Sequence, residues 1–143
     1  MSLAVTSARG LPDRQQTFAR ESDRARLTPA GLAGLKSVAT AWRLSGQEAA
    51  DLLGVSSSTW DRIRADTWRQ SLSQDQLMRV SAIVGIYKGL HLLFADDMAD
   101  RWIRLRNSGP LFANLTPIEA MREMGIPGML EIRRYIDALR GGL

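Results

Sequence analysis

Groups able to move a proton or attack an electrophile are scarce in this chain of 143 residues. It has one histidine, His91, and no cysteine. Asp96 and Asp97 are adjacent carboxylates, a pair that can do acid–base work. Their place at a helix start gives them a plainer role as N-terminal caps, where negative charge meets free amide donors. No nucleophile–base pair and no glycine-rich phosphate loop accompanies them, so the chain is not expected to be an enzyme. His91 has no second His and no thiolate near it, which favours a packed or half-exposed imidazole over a metal ligand. No metal and no cofactor is expected. The polar chemistry gathers instead in Ser56, Ser57, Ser58 and Thr59, with Arg62 and Arg64 a turn further on. Hydroxyls and guanidiniums of this kind bind partners rather than make bonds.

These residues need a scaffold, and the stretch from Leu44 to Arg64 supplies one that looks like a helix-turn-helix. Ser45 with Glu48 three residues on forms a capping box for a helix of about two turns through Ala49, Ala50, Leu52 and Leu53. Gly54 sits where the chain leaves that helix, a position that suits a left-handed dihedral. Val55 plugs the corner and Ser56 caps a second helix, with Trp60 and Ile63 inward and Ser57, Ser58, Asp61, Arg62 and Arg64 outward. Ala49 and Ala50 are small, as a closely crossed helix requires. This is the corner that places a recognition helix in the major groove of DNA. A tight helical hairpin inside another kind of bundle uses the same signals. Asp61 and Asp66 set negative charge near a face that is to meet phosphate.

Composition sets the frame. An apolar fraction of 45% is enough for a core. The net charge of +4 permits an anionic partner without requiring one. No apolar run is long enough to span a bilayer, and the N-terminus lacks a signal-peptide core, so no membrane partner and a cytoplasmic location are expected.

Along the chain, helix signals recur and no alternating strand pattern appears, which makes the fold class all-α with roughly seven helices. Met1 to Arg26 is polar and reads as a flexible arm with a short helical turn near Phe18; it is either a solvated tail or an arm that touches a partner. Thr28-Pro29 reads as a helix start, with Leu32, Leu35, Val38, Ala39 and Trp42 on one face. Lys36 and Arg43 lie elsewhere on that helix, as solvated charges or as groups that reach backbone phosphates. Ser73 with Gln76 opens the most apolar helix, from about Gln74 to Leu93, which is expected to be both the central packing helix and a dimer contact. A short helix follows from Asp96, with Trp102 and Ile103 inward and Arg101, Arg104 and Arg106 on its polar face. Leu111 and Phe112 tuck back from the Gly109-Pro110 loop. Thr116-Pro117 with Glu119 starts another helix that ends near Gly125, and Pro127 starts the last, with Leu130, Ile132, Tyr135, Ile136 and Leu139 inward.

The second half resembles a known module. Leu92-Leu93-Phe94, Ala99 to Trp102, Asn107 with Pro110 to Phe112, Thr116-Pro117, Gly125 and the run from Ile132 to Gly142 occur in the order of the Xre/MbcA/ParS-like toxin-binding domain. The Leu44–Ile63 motif and the Arg79–Leu93 helix are similar to those of Xre-type antitoxins that carry it. The resemblance covers about Pro29 to Leu143. It implies an N-terminal helix-turn-helix bundle joined by a long apolar helix to a small helical toxin-binding domain. The segments are then an arm over 1–27, the DNA-binding domain over 28–70, and the linking helix with the toxin-binding domain over 71–143.

That resemblance implies an antitoxin of a type II pair. Members neutralise RES-domain toxins, which consume or transfer the ADP-ribose part of NAD, by blocking the active-site cleft, and they repress their own operon. Operator contacts are then expected at Gln47, Ser56, Ser57, Ser58, Thr59, Arg62 and Arg64, and toxin contacts at Arg133, Arg134, Tyr135, Asp137, Arg140, Gly141, Gly142 and Leu143. The expected partners are a RES-domain toxin, operator DNA and a second copy of the chain, with a larger assembly once toxin binds. Two departures stand out: Asn107-Ser108-Gly109-Pro110 replaces an adjacent Pro-Asn, and Leu143 replaces a common aromatic. The alternative function is a stand-alone helix-turn-helix regulator whose C-terminal helices sense a ligand or partner.

Overall fold

The computed structural model describes residues 16–107, 109 and 111–141. Among them the chain is all-helical: α1 Glu21–Ala41, α2 Gly46–Leu53, α3 Ser57–Arg64, α4 Gln74–Leu93, α5 Asp96–Arg101 running into a 3-10 turn Trp102–Arg104, α6 Pro117–Met124 and α7 Ile126–Arg140. The expected arm over Met1 to Gln15 lies outside the described residues.

The three capping boxes set the starts of α2, α4 and α6. In each, the hydroxyl of Ser45, Ser73 or Thr116 accepts from the backbone amide three residues on, and the side chain there reaches back to the cap. Gly54 closes α2 at φ 81°, ψ 40°, a left-handed conformation that costs glycine little. Its amide and that of Val55 both donate to the Ala50 carbonyl, which turns the chain sharply into α3.

The first helix begins a full two turns before the Thr28 start expected from sequence. Residues 21–27, assigned to the arm, are its first turns. Glu21 and Asp23 favour that end through the helix dipole. Arg24 braces it by donating to the carbonyls of Phe18 and Ala19. Phe18 itself has φ 58° and is in no helical turn. Thr28 is an internal, buried residue: its hydroxyl donates to the Arg24 carbonyl at 2.6 Å and accepts from the Leu72 amide at 2.9 Å. Proline at 29 lies inside the helix, where it forfeits one amide bond and crowds the Ala25 carbonyl, and the helix runs on through it.

Helix α4 is the spine. One side lies along α1 and the other along α7, and its Leu77, Val80, Ala82, Ile83, Ile86 and Leu90 are buried. They join one continuous core that includes Leu35, Val38, Trp42, Leu52, Leu53, Trp60, Ile63, Ile103, Met121, Met129, Ile132 and Ile136. Helix α7 comes close because Gly85 and Gly89 leave room. A Cβ at Gly89 would stand 2.6 Å from Ile136 Cγ2, and one at Gly85 would stand 2.5 Å from Arg133 Cζ.

Two residues of α7 expected inward are not enclosed: Tyr135 is 38% and Leu139 42% exposed. Met129, Ile132 and Ile136 occupy the face against α4, and at the last turn the Arg140 side chain, its Cδ 3.6 Å from the Gly89 Cβ position, covers the spine instead of Leu139. Tyr135 packs at the edge of an aromatic group, stacked on Trp102 at 6.4 Å and edge-on to buried Phe112 at 5.8 Å. No described helix is long and apolar enough to cross a membrane.

Candidate functional site

Two polar surfaces stand out, one on α2 and α3 and the other at the end of α7. The first is built on α2 and α3. Ala49, Ala50, Leu52 and Leu53 of α2 and Trp60 and Ile63 of α3 are buried, which turns the remaining face of α3 to solvent. Gln47, Ser56, Ser57, Ser58, Arg62 and Arg64 are exposed and Thr59 is half-exposed, and hydrogen bonds join Ser57 to Gln47 and Thr59 to Ser56 and Arg62.

Their hydrogen bonds are ordered. The Ser56 hydroxyl caps α3 by accepting from the Thr59 amide at 3.1 Å and donates to Thr59 Oγ1 at 3.0 Å. Arg62 Nη2 donates to the same Thr59 oxygen at 3.2 Å. Ser57 Oγ donates to Gln47 Oε1 at 2.7 Å, linking the starts of the two helices. Asp66, which would oppose an anionic partner, is neutralised by Lys36 Nζ at 2.6 Å, and that ammonium holds its carboxyl below the usual range. Lys36 is therefore engaged in a pair and is not a freely solvated charge.

The corner is fixed to the rest of the chain by arginines whose partners are far away in sequence. Arg104, expected on an outer polar face, points instead at the Glu48 carboxylate of the first capping box and also donates to the carbonyls of Trp42 and Arg43. The hydrogen bonds from Arg104 outweigh the effect of burial and hold Glu48 at a pKa of about 2. Arg122 of α6 grips Asp51 Oδ2 through Nε at 3.1 Å and Nη2 at 2.7 Å. Arg79 of α4 donates to the Leu52 carbonyl at 3.3 Å, satisfying an orphan acceptor at the end of α2.

The second surface is the end of α7. Arg134, Tyr135, Asp137, Arg140 and Gly141 are exposed there. Arg134 pairs with Glu131 and Arg140 with Asp137, both one turn back along the helix. Arg133 differs from its neighbours. Its guanidinium lies against Gly85 and its Nη1 donates to the Ser81 carbonyl at 3.2 Å, so it is a helix-to-helix clamp in this structure. Gly142 and Leu143 lie outside the described residues.

His91 joins the end of α4 to α5. Its Nδ1 lies 3.0 Å from Asp96 and its Nε2 2.7 Å from Asp100, with the Tyr87 ring 4.3 Å away. Asp96 and Asp97 are thus in the first turn of α5 with Ala95 at the cap position, and Asp96 serves the imidazole instead of an amide. Among the described residues no group of three His, Cys, Asp or Glu could hold a metal ion.

The comparisons with known proteins fall on the same two halves. The sequence model for the antitoxin Xre-like helix-turn-helix domain matches residues 23–85. That for the antitoxin Xre/MbcA/ParS C-terminal toxin-binding domain matches residues 90–142. The chain is also 34% identical over 126 residues to the uncharacterized protein y4oB of Sinorhizobium fredii, an alignment spanning 85% of this chain and 92% of that one. Each match meets a surface already described, the first at the α2–α3 corner and the second at α5 to α7. The chain therefore belongs to the Xre-type antitoxins, which join a helix-turn-helix domain to an Xre/MbcA/ParS toxin-binding domain.

Proposed function

We propose that this antitoxin does two separate jobs: it represses its own operon through α3, and it neutralises a RES-domain toxin by closing the toxin's NAD cleft with the end of α7. The observation that carries the first half is the exposed polar face of α3 backed by buried Trp60 and Ile63. A short helix held by its apolar side presents the other side to a major groove about as wide as a helix. Gln47, Ser56, Ser57, Ser58, Thr59, Arg62 and Arg64 are the operator residues in this reading. Arg62 and Arg64 supply the charge that phosphate attracts.

In the second half, Arg134, Tyr135, Asp137, Arg140, Gly141, Gly142 and Leu143 meet the toxin, and the guanidiniums suit a cleft made for a pyrophosphate. Arg133 supports the helix by its clamp on Gly85 and releases that clamp if it is to touch toxin. A homodimer presents two copies of α3 to a two-fold operator. The domain split at residues 70–71 and the dimer contact on α4 belong to this reading.

The deciding experiment is co-expression with the toxin gene next to the antitoxin gene in its genome. The full chain protects growth and a chain lacking residues 140–143 does not. Full protection by the shortened chain overturns the cleft-closing reading. If no toxin gene lies alongside, the stand-alone regulator takes its place.

A further inference from the structure

A line of hydrogen bonds runs from the recognition helix to α6, and its direction is dictated at one end. Arg122 donates twice to Asp51 Oδ2. Asp51 Oδ1 accepts from Gln47 Nε2 at 2.7 Å. Gln47 Oε1 accepts from Ser57 Oγ at 2.7 Å. Asp51 is kept below the usual carboxylate pKa by its bond to Arg122, with Gln47 adding to that, so at neutral pH it is ionised and only accepts. An amide facing a carboxylate must turn its NH2 toward it. Gln47 then shows its carbonyl oxygen to Ser57, and Ser57 must spend its one hydrogen on that oxygen.

Resting on the DNA-binding reading above, we infer that the Ser57 hydroxyl meets the operator only as an acceptor, and that Asp51, held by Arg122, is the positioning residue that sets this polarity. The consequence is selective. A phosphate oxygen only accepts, as do guanine N7 and O6, so none of these pairs with a hydroxyl whose hydrogen is committed. In the major groove the groups that donate are the exocyclic amines, N6 of adenine and N4 of cytosine. Ser57 therefore reads an amine. Thr59 is the opposite case: its oxygen accepts from Ser56 and from Arg62, its own hydrogen is free, and it suits a phosphate. Two neighbouring hydroxyls on one helix thus carry different tasks, base reading for Ser57 and anchoring for Thr59.

The test uses the full chain and its own promoter duplex, read by fluorescence anisotropy. Each adenine is replaced in turn by purine, which lacks the N6 amine, and each cytosine by 2-pyrimidinone, which lacks the N4 amine. The native chain should lose about 5- to 10-fold in affinity at one position per half-site, the size of one hydrogen bond. Ser57→Ala should show no loss at that position while keeping the native profile elsewhere, and Gln47→Ala and Asp51→Asn, which free the Ser57 hydrogen to donate as well, should show a smaller loss there than the native chain. Asp51→Asn works by letting the amide pair turn over. Gln47 and Ser57 are exposed, so their variants keep the fold even if the Asp51 variant does not. Unchanged profiles in all three variants, or no amine-dependent position in the native chain, overturns the inference. A native chain that binds its promoter no better than scrambled DNA overturns the DNA-binding reading itself.

Discussion

Arg104 and Glu48 face each other as a two-bonded pair, Nη1 to Oε2 at 3.1 Å and Nη2 to Oε1 at 3.0 Å. Glu48 Oε1 also accepts from the Ser45 amide at 2.8 Å, so one carboxylate closes α2 and ties it to the turn after α5. The parallel fork geometry makes this stronger than an ordinary surface pair. Arg104→Ala should lower stability by about 1–3 kcal/mol, read from the urea midpoint, since it strips a charged partner from a half-covered acid.

The same pair sets an acid limit. The Glu48 pKa falls from 4.5 to about 2 on folding, so its contribution is complete above about pH 4.5 and is lost as pH drops toward 2. The native chain should lose stability across that window, and Arg104→Ala should lose much less over the same range. Denaturant midpoints at pH 5 and pH 3 for both proteins check this.

His91 gives the opposite sign. Burial opposes its charge, but the hydrogen bonds its ring donates to Asp100 and Asp96 win and raise its pKa above 6.5. Its contribution is present in full below pH 6.5 and is lost as pH rises through the raised value. His91→Gln should cost more stability at pH 5.5 than at pH 9. An NMR titration of the imidazole should place the midpoint above 6.5, and one at or below that value refutes the bracket between Asp96 and Asp100.

The glycines of α4 should respond unequally. Replacing glycine by alanine inside a helix gains roughly 0.5–1 kcal/mol from backbone preference. At Gly85 the new methyl meets the far end of Arg133, which can swing away, so Gly85→Ala should be close to neutral. At Gly89 it meets buried, branched Ile136, and overpacking there costs about 1–3 kcal/mol. Thermal melts of the two variants should separate, with Gly89→Ala the lower.

Arg62→Ala tests the independence of the two surfaces. Operator binding should weaken across sequences, with the salt slope smaller by about 1, while protection from toxin is unchanged. Equal loss of both activities refutes the two-surface reading.

Local rules made much of this fold legible. The capping boxes at Ser45, Ser73 and Thr116 and the turn at Gly54 each act within a few residues, and their spacing gives α2, α4 and α6 their starts. The error at α1 has the same root: Thr28-Pro29 is a good start signal, yet Thr28 is used 44 positions away by the Leu72 amide. Arg104 and Arg122 find partners 56 and 71 positions away, and no periodicity marks such pairs. The wiring of the candidate site was opaque. Ser57 and Gln47 could be named from the motif; that they share a hydrogen, and which of them gives it, depends on a carboxylate and a guanidinium brought in from elsewhere.

A spine shared by both halves removes modularity. Cut the protein after Leu93 and the face of α4 that held Ile132 and Ile136 is left wet; take away α1 and the opposite flank is stripped. Neither fragment inherits a finished interior, so grafting one half onto another scaffold calls for carrying α4 with it and resurfacing whichever flank has lost its cover.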